Sequence, residues 1–549
     1  MILHIKGVVL ISLLMGIATT SYSQTYEWAA RLGNSNNDEG TSVALDSAGH
    51  VYSTGYLTST YAATVITKSE INGNWIWIKF VSGPGSAESA GIVVDSKGSA
   101  YILGDFALGI DFDPDTGTYN LAAGYDRDIF LLKLNAAGDF VWAKQFGGTS
   151  NEESISIAVD KADNIYITGI FGDTVDFDPG PGLHNLSAQT GRIFVAKYDS
   201  GGNYIMAVNY GSGGMGGCSS IAVDQDQNIF TTGWFSSDID IDPDSGTYVL
   251  PNAGDYDFYI QKLDQCGNFS WGKSIGNYYN DESKSITTDA AGNVYLTGYF
   301  GGTVDFDPGP GIYNLSPVIT PSSSIFILKL DTAGNFVWAK NIGGSGKGLS
   351  ISLDNTGNVY TTGYFSGTID FDPGIGTCYL ACAGGFTDDI YIWKLNPFGD
   401  FIFARNLGGT NQDHGNAIAV DIAEDIYITG YFRYTADFNP PASNTLTSAG
   451  GWDMFLAKYG STIVGNDVKV SGNLISIYPN PTNGNISIDL TAQLPDVNLI
   501  ITNLLGEQIN KLQFSDKALV NLSIEGKSGI YFLRIDSGRN TDTFKIIKQ

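Results

Sequence analysis

Histidine and cysteine are both scarce in this chain of 549 residues, which holds four of each. Beyond the first residues the His are His50 in a hairpin loop, His184 in a longer connection and His414 between two strand patterns. So few and so scattered, they assemble neither a zinc site nor a His-dependent triad. Four Cys are too few for a disulfide scaffold at this length. Cys378 and Cys382 would stand ~13 Å apart in an extended segment, out of disulfide reach unless the loop turns back, and Cys218 and Cys266 are expected to be free. Basic residues are outnumbered, 29 Lys and Arg against 57 Asp and Glu. Residues 460–549 contain eight of each kind, so the whole net charge of −28 lies before them. An acidic surface of this kind disfavours nucleic acid and permits cations. Long apolar runs are lacking as well. After residues 7–18 nothing approaches the ~20 residues of a membrane span, and that first run is itself too short. Gly-rich pieces such as residues 211–217 lack the Lys-Ser/Thr of a phosphate loop and lead into no helix.

What is present begins with a secretory pattern. Lys6 gives a positive start, residues 7–18 an apolar core, and Ser21 and Ser23 the small residues for cleavage before Gln24. No Cys follows the core, which argues against a lipoprotein anchor. An exported, soluble mature protein is expected, secreted or attached at the outer surface.

The stretch NIYITGIFGDTVDFDPGPG at residues 164–182 then organises the chain, because related copies begin at Ser99, Asn228, Asn293, Asn358 and Asp425. Three landmarks count the repeat. A Gly ends a strand pattern at Gly55, Gly104, Gly169, Gly233, Gly298, Gly363 and Gly430. A Lys recurs at Lys68, Lys133, Lys197, Lys262, Lys329, Lys394 and Lys458, and an aromatic or Met at Trp28, Trp77, Trp142, Met206, Trp271, Trp338 and Phe403. Each landmark occurs seven times. A full unit reads as four strands with hairpin loops such as Asp160-Lys-Ala-Asp-Asn164, where Gly, Asn or Asp serves positive φ. Strands that are apolar on both faces need cover on both sides, and radial stacking of four-stranded antiparallel sheets supplies it. The predicted fold is all-β: a seven-bladed β-propeller over residues 24–459, a linker at 460–473 and a small β-sandwich from 474 to 549. The seventh unit lacks its last strand and the chain begins with a spare one at residues 26–32, so the N-terminal strand is expected to close the ring.

The first unit takes 13 residues from marker Gly to marker Lys, whereas the other six take 28 to 31. The added connection carries an Asp-x-Asp-Pro element at Asp111/Asp113, Asp176/Asp178, Asp240/Asp242, Asp305/Asp307 and Asp370/Asp372, with Asp437/Asn439 as a sixth, altered copy. Residues i and i+2 of an extended segment point the same way, ~7 Å apart. Such pairs are candidate Ca²⁺ ligands, although two carboxylates fall short of a coordination shell of 6 to 8 oxygens. Asp-Pro-Gly is equally a turn sequence, and both readings stand. Tyr119, Tyr248 and Tyr313 in these connections either stack on sugars or pack within the loop. Long connections at one corner of each unit gather on one face, where binding is expected. No other cofactor is implied.

The motifs VDxxGNxYxTGxF, in recognisable forms at Val159, Val223 and Leu353, and WAKxxGG at Trp142 and Trp338 resemble the SBBP repeats of secreted bacterial β-propellers, over residues 26–459. That resemblance implies a propeller and assigns no catalytic residue. The C-terminal segment resembles the sorting domain of the type IX secretion system of Bacteroidetes: Tyr478-Pro-Asn-Pro481, Gly484 and Ile488, Asn503-Leu-Leu-Gly506, Gly529-Ile-Tyr-Phe-Leu-Arg534 and Lys545-Ile-Ile-Lys548. It implies passage through the outer membrane with that machinery as partner. Three functions remain in view: a noncatalytic binder of glycan or protein, a polysaccharide-degrading enzyme, and a structural surface-layer component. Because a catalytic carboxylate pair needs to occur once, the repeated Asp favour the first.

Overall fold

The structure is a computed structural model. It describes residues 23–549 apart from 190, 213, 318–322, 463–467, 471–472, 479–483, 495–496, 504–507, 515–516, 526, 528, 537–540 and 549. The secretory pattern and parts of the Tyr478 and Asn503 motifs lie outside the described residues. Two compact units are present, one spanning Thr25–Gly460 and the other taking in Ser461–Gln549. Every element given a name is a strand.

In the larger unit the strands form antiparallel sets of four in the order first, second, third, fourth, the sixth and seventh sets being joined into one eight-stranded sheet where Gly408 and Gly409 pair with Asp437 and Ala436. The fifth, for example, is Glu282–Thr288, Val294–Phe300, Ser324–Leu330 and Phe336–Ile342. The first strands of the seven sets are Asp38–Leu45, Ala87–Val94, Glu153–Val159, Gly216–Val223, Glu282–Thr288, Ser345–Leu353 and His414–Val420. Each packs against the first strand of the next set, and the last of them returns to Asp38–Leu45, so they form a closed circle about one axis. This is a β-propeller. His414, expected between strands, instead opens one, because its neighbours Gly415 and Ala417 pair with Gly430 and Thr429. The seventh set is completed from the other end of the chain. Ser23–Leu32 lies beside Thr445–Thr462, as the fourth strand of that sheet.

Packing follows the apolar pattern. All seven residues of Val294–Phe300 are buried, and the cores lie between sheets: Tyr101, Leu103 and Leu131 of the second set meet Ile165, Ile167 and Phe194 of the third. Val43 and Val51 meet Tyr427 and Leu456 across the closure.

Each landmark has a physical reason. Every first strand carries a β-bulge at the same place, between Ser283 and Ser285 in the fifth set, and the marker Gly crosses it. A Cβ on Gly298 would stand well inside 3.0 Å of the Glu282 carbonyl, and the same clash recurs at Gly55, Gly104, Gly169, Gly233, Gly363 and Gly430. Gly298→Ala should therefore lower stability by about 1–3 kcal/mol, as overpacking does, measurable as a reduced denaturation midpoint. The marker Lys reaches into the following sheet: Lys68 Nζ donates to the Ala136 carbonyl at 3.1 Å and lies over the Tyr52 ring, while Lys133 Nζ reaches the Ser200 carbonyl at 2.9 Å. The Trp of the WAK-type strand donates to the same kind of carbonyl, Trp338 Nε1 to Pro397 at 3.1 Å and, across the closure, Trp28 Nε1 to Ile71 at 2.9 Å. Hairpins are held by their leading Asp. Asp160 Oδ1 accepts N–H from Ala162 and Asn164, its Oδ2 accepts the Tyr166 hydroxyl, and Asp163 sits at φ 62°.

The smaller unit has two four-stranded sheets around a core that includes Ile488, Leu499, Ile501, Leu522, Leu533 and Ile546. Its first strand, Val468–Val470, pairs with Asn473–Tyr478 and falls inside the stretch read from sequence as linker. The Val-Lys-Val alternation is enough to add one edge strand. All four Cys are free thiols.

Candidate functional site

The long connections leave from the ends of the second strands. All six carry a buried plug between the paired positions, namely Phe112, Phe177, Ile241, Phe306, Phe371 and, in the altered copy, Phe438, each at 0% exposure. Phe306 rests 5.1 Å from both Phe300 and Phe326, centroid to centroid. The flanking carboxylates are committed to the turn. Asp305 Oδ1 accepts N–H from Asp307 at 3.1 Å and Tyr313 at 2.7 Å, and Asp307 Oδ1 accepts that of Gly309 at 2.8 Å. Asp111 and Asp113, Asp176 and Asp178, Asp240 and Asp242, and Asp370 and Asp372 repeat this bonding. The altered copy keeps half of it, with Asp437 Oδ1 accepting from Asn439 and Asn444. The Gly four residues past the second Asp, at Gly117, Gly182, Gly246, Gly311 and Gly376, abuts that Asp's Oδ2 and leaves no room for a Cβ. Each pair thus holds its own loop. Among the described residues no group of three or more His, Cys, Asp and Glu is placed to hold a metal. The loop tyrosines also have structural partners: Tyr119, Tyr248 and Tyr313 lie 4.8–4.9 Å from Phe140, Phe269 and Phe336.

At the inner edge of this same face the first strands begin and the second strands end. There the register pairs Glu39 with Tyr56, Glu88 with Asp105, Glu153 with Ile170, Gly217 with Trp234, Glu282 with Tyr299, Lys347 with Tyr364 and His414 with Tyr431. The register is the same at all seven places; the pair of side chains is Glu–Tyr in the first and fifth sets and differs in the others. One arc is acidic: Asp105 accepts the Ser154 N–H at 2.6 Å, and burial pushes it up to about 7, opposed by that bond and by Arg127. Arg127 pairs with Glu88 at 3.1 Å. The opposite arc is aromatic and cationic. The His414 ring stacks on Tyr364 at 3.8 Å, its Nδ1 is 2.7 Å from the Tyr431 hydroxyl, and its Nε2 is 3.3 Å from Asp388. Tyr431 in turn stacks on Trp452 at 4.9 Å. Lys347 Nζ lies 4.1 Å from the centre of the Tyr299 ring, whose hydroxyl donates to Glu282. Burial pushes the Tyr364 phenol up to about 12, so it stays a neutral donor. Of these only His414 was named from sequence, and there only as a His too isolated for a zinc site or a triad. The available signal was the residue on either side of a constant position, which varies from copy to copy while the frame does not.

Comparison with known proteins decides what the two units are. Residues 27–56 and 141–169 match the β-propeller repeat family SBBP, and residues 476–549 match the secretion system C-terminal sorting domain. The chain carries SBBP propeller repeats and a type IX sorting domain. It is 24% identical over 508 residues to the WD repeat-containing protein L264 of Acanthamoeba polyphaga mimivirus, covering 79% of this chain and 33% of that protein. It is 25% identical over 204 residues to the regulatory protein FlaEY of Caulobacter vibrioides, covering 36% and 21%. This chain therefore spans about a third or less of the curated relatives it matches. The sorting domain implies export to the cell surface or beyond. No helix among the described residues is long and apolar enough to cross a membrane.

Proposed function

We propose that this protein is a noncatalytic surface or secreted binder whose ligand, a glycan, sits at the inner edge of the loop-bearing face. Its organisation on this reading is a leader at residues 1–23, a seven-bladed propeller at 24–459, a linker at 460–473 and a sorting domain at 474–549 engaging the type IX machinery. One observation carries the reading: seven sets of one register end at this inner edge in an uneven ring of side chains, carboxylates in one arc and Tyr364, His414, Tyr431 and Lys347 in another. Scaffold residues repeat because each performs the same contact, whereas recognition needs an asymmetric set of groups. Stacked Tyr364, His414, Tyr431 and Trp452 with the carboxylates of Asp388 and Glu39 near them combine apolar ring faces and hydrogen-bond acceptors, the chemistry a sugar ring requires. The repeated Asp of the connections are occupied with backbone N–H groups, which supports the noncatalytic reading over a glycosidase pair.

Glycan-array screening of the purified chain should give a defined set of binders, with affinity reduced about tenfold or more, roughly 1.4 kcal/mol, in Tyr364→Ala and Trp452→Ala. Asp307→Asn should bind normally. A blank array from a folded sample would overturn the glycan assignment, and a protein ligand at the same edge would then be the reading to test.

A further inference from the structure

The seam between neighbouring sheets brings the start of one third strand against the start of the next first strand. At four seams both positions are acidic: Asp128 with Glu152, Asp257 with Asp281, Asp389 with Asp413, and Asp453 with Asp38. At the other three neither is, the residues being Ala63 and Ala87, Arg192 and Gly216, Ser324 and Gly346. An acid never occurs singly. Nothing in the sheet itself demands two carboxylates together, so the both-or-neither rule points to something that the pair holds jointly.

These acids are exposed by no more than 2%. One oxygen of each third-strand acid is pinned by the loop before it, Asp257 Oδ2 by the Ala253 N–H at 2.6 Å and Asp389 Oδ2 by that of Ala383 at 2.9 Å. The other oxygen is left over: Asp128 Oδ1, Asp257 Oδ1, Asp389 Oδ1 and Asp453 Oδ1 are buried with no hydrogen-bond partner, and so is Glu152 Oε1. The facing acids are fixed by main-chain donors, Asp413 by Gly409 and Arg433, Asp281 by Asn277 and Gly301. Glycine lets the couples pack on the backbone: the point where a Cβ on Gly408 would stand is 2.9 Å from Asp413 Oδ2 and 3.0 Å from Asp389 Oδ1, and Gly147 and Gly276 abut the third-strand acids Asp128 and Asp257.

Charge decides what belongs between the paired acids. Two buried carboxylates without compensation are costly, yet among the described residues no Lys or Arg ion pair reaches the first three couples. The fourth is different, since Arg31 Nη1 reaches Asp453 Oδ2 at 2.5 Å. We propose that the Asp128/Glu152, Asp257/Asp281 and Asp389/Asp413 seams each bind a divalent cation of the Ca²⁺ type, and that Arg31 replaces the ion at the fourth. Two carboxylates supply the charge and anchoring oxygens, and water or main-chain carbonyls complete the oxygen shell that Ca²⁺ tolerates in flexible geometry. These sites are distinct from the Asp-x-Asp-Pro loops.

Calorimetric titration of the chelator-treated full chain with CaCl₂, followed by thermal melting in Ca²⁺ and in EDTA, tests the proposal. Three ions per chain and a higher melting temperature in Ca²⁺ are expected. The Asp389→Asn, Asp413→Asn double variant should bind one ion fewer, whereas Asp305→Asn with Asp307→Asn should still bind all of them. Identical melting of the unaltered chain in Ca²⁺ and EDTA would overturn the proposal whether or not any variant folds. So would an unchanged stoichiometry in the seam variant, or a seam variant stabilised equally in both buffers, which would identify a shared proton instead.

Discussion

A chain lacking residues 26–32 is expected to lose cooperative unfolding and to aggregate when purified. Those residues are the fourth strand of the seventh sheet and tie the two ends of the propeller together. Glu27 pairs with Lys458 at 2.8 Å, Arg31 with Asp453 at 2.5 Å, and Trp28 ties the seventh sheet to the first through Ile71. Tyr26 packs edge-on against Tyr459 at 6.0 Å. Without them Thr445–Thr462 becomes a bare edge in which Met454, Phe455, Leu456 and Ala457 are buried residues, and long apolar edges pair with other chains. The cost is comparable with the whole stability of a domain, on the order of 5–15 kcal/mol. Trp28→Ala alone should leave a folded ring with a lower melting temperature. A truncated chain that melts cooperatively at the original temperature would show that the N-terminal strand is dispensable.

With divalent cations removed, stability should fall steeply as the pH rises from about 4 to about 7. Burial is the main cause of the upward shift in the carboxyls of the three seams that lack an arginine: Glu152, Asp281, Asp389 and Asp413 are pushed up to about 7 and Asp257 to about 6, with the facing acid adding to the effect at Glu152, Asp281 and Asp413. Asp128 is raised too. An unfolded carboxyl ionises near pH 4. Between the two values the folded state binds more protons than the unfolded state, so the slope of stability against pH is negative, about 1.4 kcal/mol per pH unit for each such group. Below about pH 4 both states are protonated and the penalty vanishes. Above about pH 7 it is complete. Thermal melts in chelator across this range should show the decline. A flat profile would mean the seam acids are not desolvated as the packing indicates.

The marker Gly made the propeller legible in the sequence because it makes the same bulge crossing in all seven sets, with the Lys reach to a neighbouring hairpin carbonyl at Lys68, Lys133 and Lys262 and the indole bond at Trp28, Trp77, Trp271 and Trp338 beside it. Repetition records what is common to the sheets. It hides whatever differs among them, which is why Tyr364 and Trp452 drew no notice and His414 was read as an isolated residue between strands. The seam acids were hidden by distance along the chain. Asp257 and Asp281 are separated by a strand and a loop, and only the packing of one sheet on the next sets them face to face. The Asp-x-Asp-Pro loops were conspicuous for the opposite reason, and their structure explains the conspicuousness as turn chemistry around an apolar plug.

The closing strand has one more consequence. Because Ser23–Leu32 and Thr445–Thr462 are neighbours in a single sheet, the propeller's entry and exit lie side by side. The place where the chain is cut is thus arbitrary with respect to the circle. Joining the two ends and opening new ones within any long connection should give a circularly permuted protein with the same sheets and the same axis-facing groups.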